Sequence, residues 1–121
     1  MKVLKPSKNK LTQGYSDKHK GYDHSGKGEQ NYYSSFHGIV VQSKNSETKN
    51  WVNKGKLTTA DYGNYLKIKA NVDGKTVYQL GAHFKQGTVL PQGTEVKKGQ
   101  VVAQIGNTGN STGDHSHTGL S

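Results

Sequence analysis

A chain of 121 residues is long enough for one compact domain and too short for two of ordinary size. Only 29% of the residues are hydrophobic and 16 are glycine, which predicts a thin core and many tight turns rather than long helices. The absence of cysteine excludes disulfides and thiolate metal sites, and the formal net charge of +9 favours an anionic partner such as nucleic acid, a membrane surface or an acidic cell-wall polymer.

The apolar runs are short. The longest, Ile39-Val40-Val41, is far below the roughly 18 residues that a membrane helix needs, so we expect no membrane insertion. Residues 1–6 carry charge without an apolar stretch behind them, and no secretory signal is visible. We expect one domain over residues 1–121, in which residues 1–13 are a flexible or edge segment.

Short strands separated by turns are predicted along the chain. The first 35 residues are polar, and their glycines are too closely spaced for a helix. Residues 36–42 predict a strand because of their β-branched side chains. From Ser43 to Ala60 large apolar residues are few, so we expect a long hairpin loop over the surface.

A hairpin is the clearest element. Residues 65–70 alternate between apolar and polar, Asp73-Gly74 is a two-residue turn signal, and residues 76–80 continue the pattern. Its second strand leads into His83, and residues 101–105 predict one more strand between glycine turns. The whole chain is therefore predicted to be all-β.

Two histidine motifs lie near the two ends of the chain, His19-Lys20-Gly21-Tyr22-Asp23 and His115-Ser116-His117. In extended strands the period of two places the acidic residue and the histidine of the first motif on one face, and likewise the two histidines of the second. Side by side they would gather three imidazoles and a carboxylate, which suits tetrahedral zinc. Four ligands would make a closed structural site, whereas three would leave a position for catalysis, and the spacing fits both.

The other histidines have simpler interpretations. A single histidine is more often a surface or hydrogen-bonded imidazole than a ligand. His83 fits a half-buried ring satisfied by the backbone as well as it fits a functional group. His24 falls on the strand face opposite to that of His19, and His37 stands alone, so we expect neither to bind metal.

The two motifs and the Gly81-Ala82-His83-Phe84 segment occur in the order and spacing of a known family. They resemble the HxGxD-like element, the lone histidine after a central strand and the terminal HxH of the lysostaphin and LytM-type zinc endopeptidases of bacterial cell walls. Residues 61–65, 93–100 and 106–113 also match. The resemblance runs from about Gly14 to His117.

The resemblance implies a fold and a set of site residues. The fold would be a single-domain lysostaphin-like β-sandwich of the barrel-sandwich hybrid type, with a substrate groove and long surface loops. Carried over by position, His19, Asp23 and His117 would bind one zinc ion, and His83 and His115 would be the catalytic pair. One of that pair would help to deprotonate water and the other would stabilise the oxyanion, in an order that the motifs do not give.

Two aromatic residues are candidates for substrate contacts, Tyr15 because of the resemblance and Trp51 because of its place in the long loop. Tyr15, close ahead of the first motif, would donate a hydrogen bond to the oxyanion, and the alternative is a surface aromatic. Trp51 would stack on a sugar or peptide at one wall of the groove, and the alternative is a tryptophan that pins its own loop.

The implied function is zinc-dependent hydrolysis of peptide bonds in peptidoglycan, in the cross-bridge or the stem peptide. We expect a monomer that is extracellular, in the cell wall or virion-associated as a phage lysin or tail component, and that anionic cell-wall polymers attract. One alternative is a catalytically weak zinc-containing module for wall binding or phage tail assembly. Another is a basic domain that binds single-stranded nucleic acid, to which Lys67 and Lys69 beside Tyr65 point weakly.

Overall fold

A computed structural model describes residues 11–13, 22–25, 30–51, 59–110 and 115–120, and side chains within 30–51 and 60–109. Within these ranges the chain forms short strands and one 3-10 helix. They are β1 (Leu11–Gln13), β2 (Tyr22–Ser25), β3 (Asn31–Tyr33), β4 (Gly38–Lys44), β5 (Asn50–Trp51), the 3-10 helix (Thr59–Tyr62), β6 (Asn64–Val72), β7 (Lys75–Phe84), β8 (Glu95–Val96), β9 (Val101–Gln104), β10 (Gly109–Asn110) and β11 (His115–Leu120). Over these ranges, no helix has the length and apolar character needed to cross a membrane.

One large sheet organises the fold. Its seven strands lie in the order β1-β2-β11-β7-β6-β4-β8, and every neighbouring pair is antiparallel. Two small sheets accompany it, β3 with β9 antiparallel and β5 with β10 parallel. The prediction of an all-β fold is confirmed.

The predicted hairpin is formed by β6 and β7. Val72 pairs with Lys75 across a two-residue turn, in which Asp73 and Gly74 have φ angles of 52° and 82°. A two-residue hairpin turn of type I′ needs positive φ at both central residues, which is why Asp-Gly is favoured there. The turn signal therefore fixes the register of the two longest strands.

The two faces of the large sheet differ in burial. On β6 the side chains of Leu66, Ile68 and Ala70 are buried, whereas Lys67 is half-buried and Lys69 exposed. The buried side packs against β3 and β9 in one core, and burying each large aliphatic side chain contributes about 1.5–3 kcal/mol. The core cluster consists of Tyr32, Val40, Leu66, Ile68, Phe84, Val89, Val96, Val102, Ala103 and Ile105. We call the other side of the sheet the open face.

Two predicted boundaries differ from the structure. The strand expected over residues 36–42 runs from Gly38 to Lys44, because Ser34 makes a local turn in which its hydroxyl donates to the Phe36 carbonyl at 2.6 Å. The segment expected to be a long loop over residues 43–60 contains strand β5 and the first half of the 3-10 helix. Short polar segments of this kind take their structure from distant partners, which local sequence does not reveal.

Candidate active site

Strand register brings the two predicted ends of the site together. β11 lies between β2 and β7, and in it His117 is paired with Asp23 on one side and with Ala82 on the other. His83 follows Ala82 directly, and His115 is paired with Ser25. Asp23, His115 and His117 are described by strand and register alone, whereas His19 and Tyr15 lie outside the described residues.

A β-bulge sets the position of His83. Leu66 pairs with Gly81 and Asn64 with Phe84, so two residues of β7, Ala82 and His83, stand opposite the single Tyr65 of β6. Strict alternation would put residue 83 on the same face of the strand as Gly81. That face lies against the core, because a Cβ on Gly81 would meet the rings of Tyr32 and Phe84. Because of the extra residue in the bulge, Phe84 instead of His83 occupies the next position on the core face.

The backbone of His83 is strained. Its φ of 65° lies in the left-handed region, which costs a non-glycine residue about 1–2 kcal/mol. Residues held in this region cluster at active sites, where the surrounding structure fixes them. Together with the bulge, this conformation makes His83 a candidate functional position.

The His83 ring is held by a backbone carbonyl. Its Nδ1 lies 2.7 Å from the carbonyl oxygen of Thr108, and the side chain is 8% exposed. A carbonyl oxygen only accepts hydrogen bonds, so Nδ1 carries the proton and donates. In the neutral ring the lone pair is therefore on Nε2. The sequence-based alternative of a histidine satisfied by the backbone is thus realised, in a form that leaves a defined basic atom.

Thr108 is itself tied to the strands on either side of the bulge. Its hydroxyl donates to the Phe84 carbonyl at 2.7 Å and accepts from the Asn64 backbone N–H at 3.0 Å. The fully buried Asn64 side chain donates to the same Phe84 carbonyl at 3.0 Å and to the Glu47 carbonyl at 2.8 Å. We call these three residues, Asn64, Phe84 and Thr108, the clamp.

Two glycines allow the clamp to close. Gly63 and Gly109 have φ angles of 62° and 77°, and a side chain on either would overlap backbone atoms of the other's segment. Sequence reasoning did not assign the clamp a role. The available signal was that Asn64 and Thr108 lie in residues 61–65 and 106–113, two glycine-containing segments that accompany the histidine motifs.

Trp51 lies close to the clamp in the fold. Its indole N–H donates to the buried Asp61 carboxylate at 2.8 Å, and it pairs with Asn110 two residues after Thr108. The half-buried ring therefore makes the loop-pinning contact of the alternative interpretation. A substrate contact for Trp51 stays a prediction.

One surface cleft borders the clamp and another lies far from it. One of about 770 Å³ lies at the far end of the sheet, against His37, Lys69 and Glu95. Another of about 380 Å³ is bounded by residues that include Thr108 and Asn107, whose Oδ1 is buried without a protein hydrogen-bond partner. Neither set of bounding residues includes His83, so the candidate site is defined by the strand register and the hydrogen bonds of His83 rather than by a cleft.

Metal-binding groups among the described side chains are limited. In that part of the chain no three histidine, cysteine, aspartate or glutamate side chains are grouped to hold a metal ion. The predicted ligands His19, Asp23 and His117 are not among those side chains. The strand register gives one observation about these residues. Asp23 is directly paired with His117, so an aspartate stands opposite a histidine.

Comparison with known proteins gives a consistent result. The family model described as peptidase family M23 matches residues 17–121. A zinc-containing peptidase from Vibrio cholerae superposes with a TM-score of 0.76 at 24% identity, over 99% of this chain and 36% of that one. The chain thus spans little more than a third of that protein.

Two solved catalytic domains are also similar. That of the antimicrobial peptidase lysostaphin from Staphylococcus simulans gives a TM-score of 0.62 at 23% identity, over 93% of this chain and 74% of that one. A mutant of the catalytic domain of the prophage-encoded M23 protein EnpA from Enterococcus faecalis gives 0.62 at 23%, over 98% and 79%. At these identities the likeness establishes the fold.

Proposed function

Because the chain belongs to peptidase family M23, of the lysostaphin and LytM type, we propose that it is a zinc endopeptidase that hydrolyses peptide bonds of bacterial peptidoglycan. The observation that carries the proposal is the register of β2, β11 and β7, which aligns Asp23, His117 and the bulge at His83 across three neighbouring strands. We propose one catalytic domain over residues 1–121.

The donor chemistry fits zinc. Directly opposed residues of an antiparallel pair have Cβ atoms about 4.5–5.5 Å apart on one face, which is close enough for Asp23 and His117 to share an ion. His19 would complete a set of two imidazoles and one carboxylate, the type of three-ligand set found in catalytic zinc sites. When bound, zinc in such a site polarises a peptide carbonyl and lowers the pKa of a water molecule to about 7.

His83 supplies a proton acceptor. With Nδ1–H donated to Thr108, the basic atom is Nε2, which can take a proton from the attacking water and return it to the leaving amine. His115 is the second member of the proposed pair and would donate a hydrogen bond to the oxyanion as it forms. Tyr15 and Trp51 are proposed substrate contacts in the same groove.

The protein would act at the cell wall. A net charge of +9 would concentrate it near anionic wall polymers, and its site of action would be extracellular or on a virion. We propose that it works as a monomer. The scissile bond, in a cross-bridge or a stem peptide, depends on loop shapes that the motifs do not define.

One experiment tests the proposal. Zinc per chain is measured by atomic emission, and release of free amines from peptidoglycan is followed for the native protein, His83→Ala and His37→Ala. His37 is an exposed histidine that accepts from the Lys98 backbone N–H at 3.3 Å, remote from the bulge, and serves as the matched control. We expect one zinc in all three proteins and loss of cleavage in His83→Ala alone.

The alternatives predict other outcomes. Zinc binding without cleavage by the native protein would favour the wall-binding or assembly module. A protein without zinc that binds oligonucleotides tightly would refute the peptidase. Equal loss of cleavage in both histidine variants would refute the assigned role of His83.

A further inference from the structure

The open face continues the site in regular steps. In the row at the site Tyr65 stands opposite the bulge of Ala82 and His83, and in the next row Lys67 is paired with Leu80. Strands rise about 3.4 Å per residue, so the two rows are about 7 Å apart. Lys67 is therefore the nearest cation to the bulge on this face of β6.

The ammonium group of Lys67 is held in place. Its Nζ lies 4.8 Å from the centroid of the Tyr78 ring, the diagonal neighbour on the same face, and the side chain is half-buried. Among the described residues no carboxylate lies within ion-pair distance of it, whereas Lys44 has Glu47 at 4.0 Å. A lysine fixed by an aromatic ring, partly dehydrated and without a counter-ion can bind an anion at low ordering cost.

We propose that Lys67 binds a carboxylate of the substrate peptide and thereby sets which bond is cut. The inference rests on the proposed peptidase function and deepens it. An extended peptide advances about 3.3–3.6 Å per residue. For a peptide that lies along β6 with its scissile bond at the bulge, a step of about 7 Å assigns the carboxylate to a residue two positions from that bond.

A single peptide carboxylate suits this site better than a long polyanion does. A polyanion would need several comparably ordered cations along the open face. The next one, Lys69, is exposed, and no aromatic ring among the described side chains contacts its ammonium group. One fixed cation beside one strained histidine instead favours one anionic group in constant register with the reacting bond.

The test uses pairs of wall-type peptides that differ only in a carboxylate or a carboxamide, at each position within three residues of the cleaved bond. The zinc-loaded native protein, Lys67→Gln and Lys69→Gln are compared by kcat/KM. We expect a preference of about tenfold for one carboxylate, equal to about 1.4 kcal/mol. Lys67→Gln should lose this preference, and Lys69→Gln should keep it.

A binding measurement separates this proposal from the proposed function. Dissociation constants for the same peptides are measured by calorimetry on zinc-loaded His83→Ala, with and without Lys67→Gln. The native protein could fail to cleave any peptide while the carboxylate peptide still binds about tenfold tighter through Lys67. That result would refute the proposed function and support the carboxylate site. Equal dissociation constants for the carboxylate and carboxamide peptides would overturn the carboxylate site. So would an equal loss of kcat/KM in Lys67→Gln and Lys69→Gln if high salt abolishes the difference from the native protein.

Discussion

The imidazole of His83 and the carbonyl of Thr108 meet at 2.7 Å, although 25 residues separate them along the chain. The bond fixes the tautomer of the proposed catalytic histidine without using a side chain. A backbone carbonyl is the same acceptor whatever the residue, so the hydrogen bond to His83 depends on where this carbonyl lies. The Thr108 hydroxyl sets that position through its hydrogen bonds in the clamp.

Thr108→Val tests the clamp. Valine has the shape of threonine but leaves the Phe84 carbonyl and the Asn64 N–H without this hydroxyl, which costs about 1–3 kcal/mol of stability. We expect peptidase activity to fall more than zinc binding, and NMR of the His83 ring nitrogens to show loss of the single Nδ1–H tautomer. Denaturant titration measures the change in stability.

Thr88→Val is the matched control. The Thr88 hydroxyl also donates to a carbonyl, that of Lys85 at 2.7 Å, and accepts from a backbone N–H, that of Gln104 at 3.1 Å, but neither hydrogen bond involves a residue of the clamp. Activity and the His83 tautomer should be unchanged in this variant. Loss of both in Thr88→Val, or of neither in Thr108→Val, would contradict the assigned role of the clamp.

The strain at residue 83 predicts an inverted order of two variants. Glycine adopts positive φ freely, so His83→Gly should be about 1 kcal/mol more stable than His83→Ala, while both lack activity. At the exposed strand residue Thr76 the order should be normal, with glycine about 0.5–1 kcal/mol less stable than alanine. Thermal unfolding of the four variants measures both differences, and equal stability of the two residue-83 variants would show that the φ of 65° is not strained.

The sequence predicted the all-β class and the strands that correspond to β4, β6, β7 and β9, but not the clamp. The β6–β7 hairpin follows from local alternation and the Asp73-Gly74 turn signal, and the structure confirms it. The bulge at Ala82 and His83 depends on which residues of two strands are opposed, a property of pairing that neither strand shows alone. Thr108 gains its role only because the fold brings residues 108 and 64 together.

Gly81 leads to a prediction about the packing beneath the bulge. A Cβ there would lie 2.5 Å from the Phe84 ring and 2.8 Å from the Tyr32 ring, which meet edge to face at 4.7 Å. Gly81→Ala must move these rings, so we expect a loss of about 1–3 kcal/mol and reduced activity.

Gly87→Ala separates crowding from backbone strain. Gly87 has open space around its Cα but a φ of 81°, so alanine should cost only the conformational strain, about 1 kcal/mol, and leave activity intact. Chemical denaturation compares the two variants. If Gly81→Ala is as stable as the native protein, the rings beneath the bulge are mobile enough to accept a methyl group.

Removal of zinc tests the proposed ligands independently of activity. A ligand that binds only the folded chain stabilises it by about 2.7 kcal/mol at a hundredfold excess over Kd, so Tm should rise with zinc concentration and fall with a chelator. Asp23→Asn should abolish this dependence, since the carboxylate opposite His117 is a proposed ligand. Asp73→Asn, a change at the hairpin turn where asparagine tolerates the φ of 52°, should retain it. The same zinc dependence in both aspartate variants would remove Asp23 from the site, because a residue that binds the ion cannot lose its charge without weakening the metal-linked stability.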